Sequence, residues 1–348
     1  MGHAPRLAGA SRPARRSTVP QIFDGQIRFG VHAGPQHVTY AEYRNLWQQI
    51  EAMGYDWASV FDHFIPIQTD PEGPCFEGLT LLAGLAAQTR RLRCGILVVG
   101  NTYRHPAVVA NMAVTIDHIS NGRLELGIGA GWWEMEHREY GIPYHTTGRR
   151  IRMLGEAAKV IKLLWTEHRA SFAGRYYTIT DALCEPKPVQ RPLPLWVGGQ
   201  GERLTLRVVA ESADGWNTFL MPEEQYRHKL DVLAEHCRAV GRDPRDIRKS
   251  LVIQALIGET EAEVRERTER IAQARGLTPE ALRRQAVVGT PEQAAEQILR
   301  YVALGVGDFL VGARVPYDYA GLQLFIEKVA PIVRKEAERM AASGPART

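Results

Sequence analysis

The sequence predicts a single (β/α)8 barrel, an α/β fold with an insertion after helix four, from three observations. Short β-branched or apolar runs alternate with amphipathic helical segments along the chain, eight times over. The length of 348 residues suits a closed barrel with one or two excursions better than an open sheet. No repeat of 20–50 residues divides the chain, which argues against a solenoid or propeller.

The first βα unit illustrates how the elements are placed. Residues 28–31 are the first predicted strand, and Thr39 with Glu42 has the spacing of a capping box at a helix start. Gly54 then suits the helix end. The face of this helix that repeats every 3.6 residues consists of Tyr43, Leu46, Trp47, Ile50 and Met53. The eight predicted strands are 28–31, 57–61, 92–99, 123–128, 195–197, 215–219, 250–257 and 309–311.

The later helices follow the same reasoning, with one interruption. Residues 168–193 break the rhythm, carry several prolines and contain a predicted hairpin at 172–177. We interpret this stretch as the insertion, not as a domain boundary. The predicted helices after the first are 79–88, one opened by Pro106, 151–165, 201–211, 222–240, 260–275, 291–304 and 322–334.

The basic character of the chain belongs to its first residues. The net charge of +4 comes from 43 basic and 39 acidic residues. Residues 1–20 contain four arginines and no acid, which accounts for the whole excess. We therefore predict a disordered basic tail at 1–24, a barrel domain at 25–340, and no nucleic-acid surface.

Composition points to a reducing, aqueous compartment. No apolar run approaches the roughly 18 residues of a membrane span, so no membrane partner is expected. The four cysteines form no C-x-x-C pair, and the histidines show no metal-ligand spacing. We expect no metal, no disulfide and a cytoplasmic protein.

In such barrels the chemistry gathers where the strands end, so the residues after each strand are the candidates. Asp62 and His63 follow strand two and are the candidate catalytic pair. A histidine there can exchange a proton near neutral pH, and an aspartate can orient it. The alternative is a turn-capping aspartate beside a rim histidine without catalytic role.

Two glycine-rich segments also follow strands. Gly127–Gly131, which includes Gly129 and Ala130, fails the dinucleotide fingerprint because Trp132 stands where the last glycine belongs. It either lets backbone approach a flat ligand or relieves crowding at the rim. The segment Gly198, Gly199, Gln200 and Gly201 is either a phosphate-binding turn or an ordinary βα turn.

Three aromatic side chains complete the candidate site. Trp132, Trp133 and Tyr140 lie in the long connection after strand four, and they are expected to wall a substrate pocket. Rim aromatics that only pack against one another are the alternative.

With these motifs in place, the chain resembles the luciferase-like family of flavin- and F420-dependent oxidoreductases. The resemblance rests on FGVHAGPQHVTYAEY, IEAMGYDWASVFDHF, GNTYRHPAVVANMAV and PLWVGGQGERLTLRVV, spread over residues 29–217. It implies a barrel with an insertion after helix four and a coenzyme ring held at the strand ends.

The resemblance also implies particular site residues. It places a non-proline cis peptide at Leu97–Val98 under the ring, with Asn101 nearby, and the coenzyme phosphate at Gly198–Gly201. F420-dependent sugar-phosphate dehydrogenases of this family carry a glutamate where Trp132 stands here. That departure favours an apolar substrate over a sugar phosphate.

Three functions remain open from the sequence. The first is hydride transfer between coenzyme F420 and a small organic substrate, with Asp62 and His63 managing a proton. The second is an FMN-dependent monooxygenase that uses reduced flavin and O2. The third is a flavin-binding protein without turnover. The resemblance further implies a homodimer and a flavin or F420 reductase as partner.

Overall fold

The computed structural model describes residues 26–67 and 69–343, and it forms a closed barrel of eight parallel strands. The barrel order is β1-β2-β3-β4-β7-β8-β9-β12, with β12 pairing back to β1. This confirms the predicted fold class. The predicted tail at 1–24 lies outside the described residues. The strands in chain order are β1 (Arg28–Ala33), β2 (Trp57–Val60), β3 (Arg93–Gly100), β4 (Leu124–Gly129), β5 (Ala170–Ala173), β6 (Thr178–Ala182), β7 (Leu195–Gly198), β8 (Gly215–Phe219), β9 (Arg248–Ile253), β10 (Ala255–Ile257), β11 (Val287–Gly289) and β12 (Asp308–Ala313).

The helices surround the barrel, and the first shows why their sequence signals worked. Thr39 and Glu42 form the reciprocal capping box, and Gly54 ends the helix at a φ of 90°, which glycine adopts without cost. The helices are α1 (Tyr40–Met53), α2 (Gly78–Gln88), α3 (Pro106–Ile119), α4 (Glu134–Glu139), α5 (Thr147–Thr166), α6 (Thr205–Ser212), α7 (Glu223–Ala239), α8 (Glu261–Ala274), α9 (Pro279–Arg283), α10 (Pro291–Val302), α11 (Tyr319–Leu324) and α12 (Ala330–Ser343).

The structure corrects three boundaries. The predicted strand 250–257 is two strands, because β9 stays in the barrel while β10 leaves it to pair with β11. The helix predicted at 201–211 begins only at Thr205, which leaves a longer turn after β7. The short helix α4 occupies the connection after β4, so the hairpin β5–β6 follows the fifth helix of the chain, α5.

The barrel interior is layered. Trp57 and Trp196 stack at a centroid distance of 5.8 Å and form the middle layer with Leu97, Val252 and Leu310. Paired charges lie below this layer at the amino-terminal ends of the strands. The middle layer therefore closes the barrel and leaves the carboxyl-terminal end as the open mouth.

Among the helices that the structure describes, none is both long enough and apolar enough to cross a membrane.

Candidate active site

A bulge late in β3 shapes the floor of the mouth. The Leu97–Val98 peptide is cis, which confirms the prediction made from the resemblance. The pairing of β3 with β4 shifts register between Ile96 and Val99, so two residues stand opposite one. The bulge brings Val98 into the barrel mouth as a half-buried side chain.

The glycines around this bulge have a packing role. A β-carbon at Gly129 would lie 2.5 Å from Val98 Cγ2, and one at Gly198 would lie 2.8 Å from Val98 Cγ1. Gly127 is equally crowded, with Val98 Cγ1 at 2.9 Å from its ideal β-carbon. The relief of crowding therefore explains these glycines, and the expectation that they let backbone approach a flat ligand is not needed for them.

Asp62 has other partners than the one expected. Its carboxylate accepts two hydrogen bonds from Arg104, at 2.7 and 3.0 Å, and one from the backbone N–H of Gly100 at 3.0 Å. The side chain is buried, and burial raises the pKa of Asp62 against the opposing effect of Arg104. Asp62 therefore does not orient His63 through a hydrogen bond, because its carboxylate is bound by Arg104 and Gly100. Its expected role at the edge of a coenzyme ring stays a prediction.

His63 is instead held by Glu136, a residue of α4. His63 Nδ1 lies 2.6 Å from Glu136 Oε2, and the carboxylate is fully buried. Glu136 also accepts hydrogen bonds from the Tyr103 hydroxyl at 2.5 Å and the Phe64 backbone N–H at 2.5 Å. Burial alone would raise the pKa of Glu136, but these donors, His63 first among them, lower it overall. The carboxylate is thus kept ionised opposite the imidazole.

The aromatic residues divide between the mouth and its back. The His63 ring meets Trp132 and Trp133 edge to face at 5.7 and 5.8 Å. Trp132 is 55% exposed, so about half of its surface beside His63 is open to solvent. Tyr140 packs on Phe64 at 4.8 Å, behind α4, so the structure does not bring it into the same cluster of rings.

The turn after β7 is tied down by its carbonyl groups. Trp216 Nε1 donates to the Gly199 carbonyl at 2.8 Å, Lys229 Nζ to that of Gln200 at 3.1 Å, and His236 to that of Glu202 at 2.8 Å. In a trans peptide the N–H of the next residue points opposite to the carbonyl. The N–H groups that follow these three carbonyls belong to Gln200, Gly201 and Arg203. Each of them therefore points away from the side chain that binds the preceding carbonyl.

Residues between the bulge and this turn are fixed by the surrounding loops. Asn101 donates through Nδ2 to the Tyr177 hydroxyl at 3.1 Å, and its backbone N–H binds the Gly129 carbonyl at 2.9 Å. Gly131 adopts a φ of 73°, and its carbonyl accepts from Arg150 Nε at 3.1 Å. Ala130, which lies between Gly129 and Gly131 in the chain, is half-buried. The backbone after β4 is thus held rigidly at the rim.

Sequence reasoning missed two groups at the mouth. Glu136 and Tyr103 carried no local signal, since neither follows a strand directly. His32 could have been found, because it stands one residue before the end of β1. His32 Nδ1 lies 2.8 Å from Ser59 Oγ inside the barrel, and burial lowers the pKa of His32 to about 4. It is a neutral imidazole beneath the site.

The site thus lies at the mouth of a closed parallel barrel, beside the β3 bulge and the His63–Glu136 pair. Comparison with known proteins identifies the family. The family model for luciferase-like monooxygenases matches residues 25–275, and the chain belongs to this family. The family predicted from the sequence motifs is confirmed.

Two sequence relatives and one solved structure show which members of the family this chain is similar to. The F420-dependent glucose-6-phosphate dehydrogenase of Microbacterium testaceum is 27% identical over 333 residues, 89% of this chain and 98% of that protein. The FMNH(2)-dependent dimethylsulfone monooxygenase of Pseudomonas putida is 25% identical over 297 residues, 76% of this chain and 81% of that protein. A solved F420-dependent secondary alcohol dehydrogenase in complex with an F420–acetone adduct superposes with a TM-score of 0.77 at 20% identity, covering 88% of this chain and 99% of that one.

Proposed function

We propose that this protein is an F420-dependent oxidoreductase that transfers hydride between the coenzyme and a small organic substrate. The observation that carries the proposal is the pair His63–Glu136 at the barrel mouth, joined at 2.6 Å beside Trp132. The F420-dependent relative and the F420-dependent solved structure support the choice of coenzyme.

The residues at the mouth fit a flat ring with a phosphate-bearing tail. Val98 of the bulge supplies an apolar floor, flanked by glycine backbone that carries no side chain. The N–H groups of Gln200, Gly201 and Arg203 point away from the side chains that bind the preceding carbonyls, and they would be the donors to the phosphate of the coenzyme. Leu97, Asn101 and the segment from Gly129 to Gly131 would surround the ring edge. When bound, a deazaflavin supplies the hydride acceptor or donor.

His63 is the residue to move the proton. Because Glu136 accepts from Nδ1, the neutral tautomer carries its proton there and leaves Nε2 as an acceptor. Among the described residues Nε2 has no hydrogen-bond partner, so it is available to a substrate hydroxyl. Asp62 would contribute indirectly, by fixing Arg104 and the backbone at Gly100.

The exposed indole of Trp132 favours an apolar substrate. It stacks on Trp133 at 5.9 Å, and about half of its surface is open to solvent. An apolar group placed there would bury surface that is now in contact with water.

Coenzyme titration tests the proposal. Purified protein is titrated with F420 and with FMN, and coenzyme fluorescence is followed. We expect F420 to bind tightly and FMN to bind weakly. Tight FMN binding without F420 binding would contradict the proposal. In His63→Ala we expect F420 binding to persist while hydride transfer falls about 100-fold or more. Normal turnover in that variant would show that His63 is not catalytic.

An FMN-dependent monooxygenase is the second candidate, favoured by the family model and by the monooxygenase relative. It predicts that an oxygen atom from O2 enters the organic substrate when reduced FMN is supplied, which an F420-dependent dehydrogenase does not do. A flavin-binding protein without turnover is the third, and it predicts binding in both assays with no product.

The remaining expectations concern partners and location. We propose a homodimer, a flavin or F420 reductase that regenerates the coenzyme, and a cytoplasmic site of action. Light scattering of the purified protein measures the first of these directly.

A further inference from the structure

Three arginines surround a cavity that the proposed mechanism does not use. Arg149 and Arg152 of α5 and Arg175 at the turn of the β5–β6 hairpin line a space of about 310 Å³. Thr146 and Tyr176 complete its lining. We call this space the arginine pocket.

The arginine pocket concentrates positive charge without counter-charge. Within the part of the chain that the structure describes, none of the three guanidinium groups has a carboxylate partner. The nearest carboxylate that the turn uses, Glu156, accepts three backbone N–H groups from residues 175–177. The guanidinium groups instead gather on one ring, since those of Arg149 and Arg175 lie 5.6 and 5.7 Å from the Tyr176 centroid. Arg152 Nε reaches the same tyrosine hydroxyl at 3.3 Å.

The position of these charges on α5 is unfavourable without a ligand. The N-terminus of a helix carries partial positive charge, which acidic side chains normally offset. Here the first turn of this 20-residue helix has no acidic residue, and Thr146 makes no capping hydrogen bond. Arg149 and Arg150 occupy this turn instead, and Arg152 follows in the next turn. An anion in the pocket would relieve both the helix end and the three like charges.

The pocket lies close to the barrel mouth, because chain neighbours of two of its lining residues contact residues of the mouth. Arg150, next to Arg149 in the chain, binds the Gly131 carbonyl at 3.1 Å. Tyr177, next to Tyr176, accepts from Asn101 at 3.1 Å. One ligand can therefore occupy both places.

We propose that the arginine pocket binds a carboxylate or phosphate group of a ligand whose other end occupies the mouth. Planar guanidinium groups match both anions through paired hydrogen bonds. The anion has two sources: the γ-glutamyl tail of F420, in which case the inference rests on the proposed function, or an acidic group on the substrate.

The test compares the double variant Arg152→Ala/Arg175→Ala with a control, Arg265→Ala/Arg270→Ala. The control removes the same charge from exposed positions of α8. Calorimetric titration uses tri-γ-glutamate, glucose 6-phosphate and inorganic phosphate. We expect the pocket variant to bind at least one of these about tenfold or more weakly than wild type, and the control to bind like wild type.

A second titration identifies the source of the anion. If it is the coenzyme tail, the pocket variant loses affinity for F420 carrying glutamates and keeps its affinity for F420 lacking them. If it is the substrate, both coenzyme forms bind normally and glucose 6-phosphate binding falls. Equal binding of all acidic probes to wild type and the pocket variant, no binding to wild type, or equal loss in the control overturns the proposal.

The two titrations also separate the pocket from the coenzyme assignment. The three acidic probes contain no deazaflavin. A wild-type protein that binds one of them through the pocket but does not bind F420 would retain the pocket and reject the proposed function.

Discussion

The two ends of the barrel treat buried charge in opposite ways. At the amino-terminal end, Glu125 accepts from Arg28 at 2.8 Å, Arg93 at 2.5 Å and Trp196 Nε1 at 2.7 Å. Asp308 pairs with Arg28 at 2.6 Å and with Arg248. Each of these carboxylates faces more than one guanidinium group.

At the mouth, the buried carboxylate of Glu136 has no guanidinium partner among the described residues. Glu136 is as buried as Glu125, but one of its partners is His63, a group that can lose its proton. The opposite nitrogen of that imidazole has no partner among the described residues. The comparison teaches that the carboxylates of the closed end are paired with guanidinium groups, as Asp62 is with Arg104 at the mouth. Glu136 differs, and we propose that its charge orients a proton carrier.

Breaking the closed end should produce the largest effect. Burial raises the pKa of Glu125, but Arg28 and Arg93 outweigh it and lower the value to about 2. Glu125→Ala leaves two partly buried guanidinium groups and the buried Trp196 indole N–H without this partner, so we expect a loss of about 3–5 kcal/mol in the free energy of unfolding by urea.

The matched control for Glu125→Ala is Glu296→Ala, which removes an exposed ion pair with Arg300. It should cost less than about 1 kcal/mol. Similar losses in the two variants would contradict the structural role of the closed end.

Breaking the mouth pair should reduce turnover. Glu136→Gln removes the negative charge that faces His63 Nδ1 and puts an amide, whose NH2 group can only donate, in its place, so we expect kcat to fall about 100-fold. The dependence of kcat on pH should change with it.

Tyr103→Phe provides the control for Glu136→Gln. It removes another donor to the same carboxylate and leaves His63 in place. A comparable loss of kcat in Tyr103→Phe would mean that Glu136 acts only by stabilising the loop.

Filling the space beside the bulge should have a moderate effect that sharpens the mouth's description. Gly129→Ala places a methyl group 2.5 Å from Val98 Cγ2, so we expect about 1–3 kcal/mol of lost stability in thermal or urea unfolding. In a Val98→Ala background the same substitution should cost much less, because the clash is removed. Additive losses would show that Gly129 serves another purpose.

The last effect concerns pH and is small over any single pH unit. Burial lowers the pKa of His32 to about 4, below its ordinary 6.5, so the folded state prefers the neutral ring. Stability should therefore fall as pH drops from about 6.5 toward 4, by about 1 kcal/mol per unit between pH 5.5 and 4.5. Unfolding of His32→Gln, followed across the same range, should lack this component. An unchanged slope would place the titration elsewhere.

Local signals explain what could be predicted. The capping box at Thr39 and Glu42, the helix-opening Pro106 and the turn at 172–177 were readable because neighbours in the chain create them. The cis peptide at Leu97–Val98 was placed only through the family resemblance. The division of 250–257 was not predictable, because a continuous apolar run does not show where a strand changes sheet.

The residues of the candidate site also fall into those that the sequence could predict and those that it could not. His63 and the turn at Gly198–Gly201 were found because parallel strands in a barrel all end at one face, so position along the chain implies position at the mouth. The partner of His63 was assigned to Asp62 by adjacency, and the structure assigns it to Glu136, 73 residues away.

By itself the sequence determined the alternation of eight barrel strands with helices and several helix ends, such as Thr39 and Gly54 at the ends of α1, since these depend on periodicity and capping within a few residues. Only the tertiary structure decided which charges meet. It brought Glu136 to His63, Arg104 to Asp62 and Arg175 to the start of α5. Contacts of this kind depend on how loops from separate βα units close over the mouth, and no spacing within one segment encodes that.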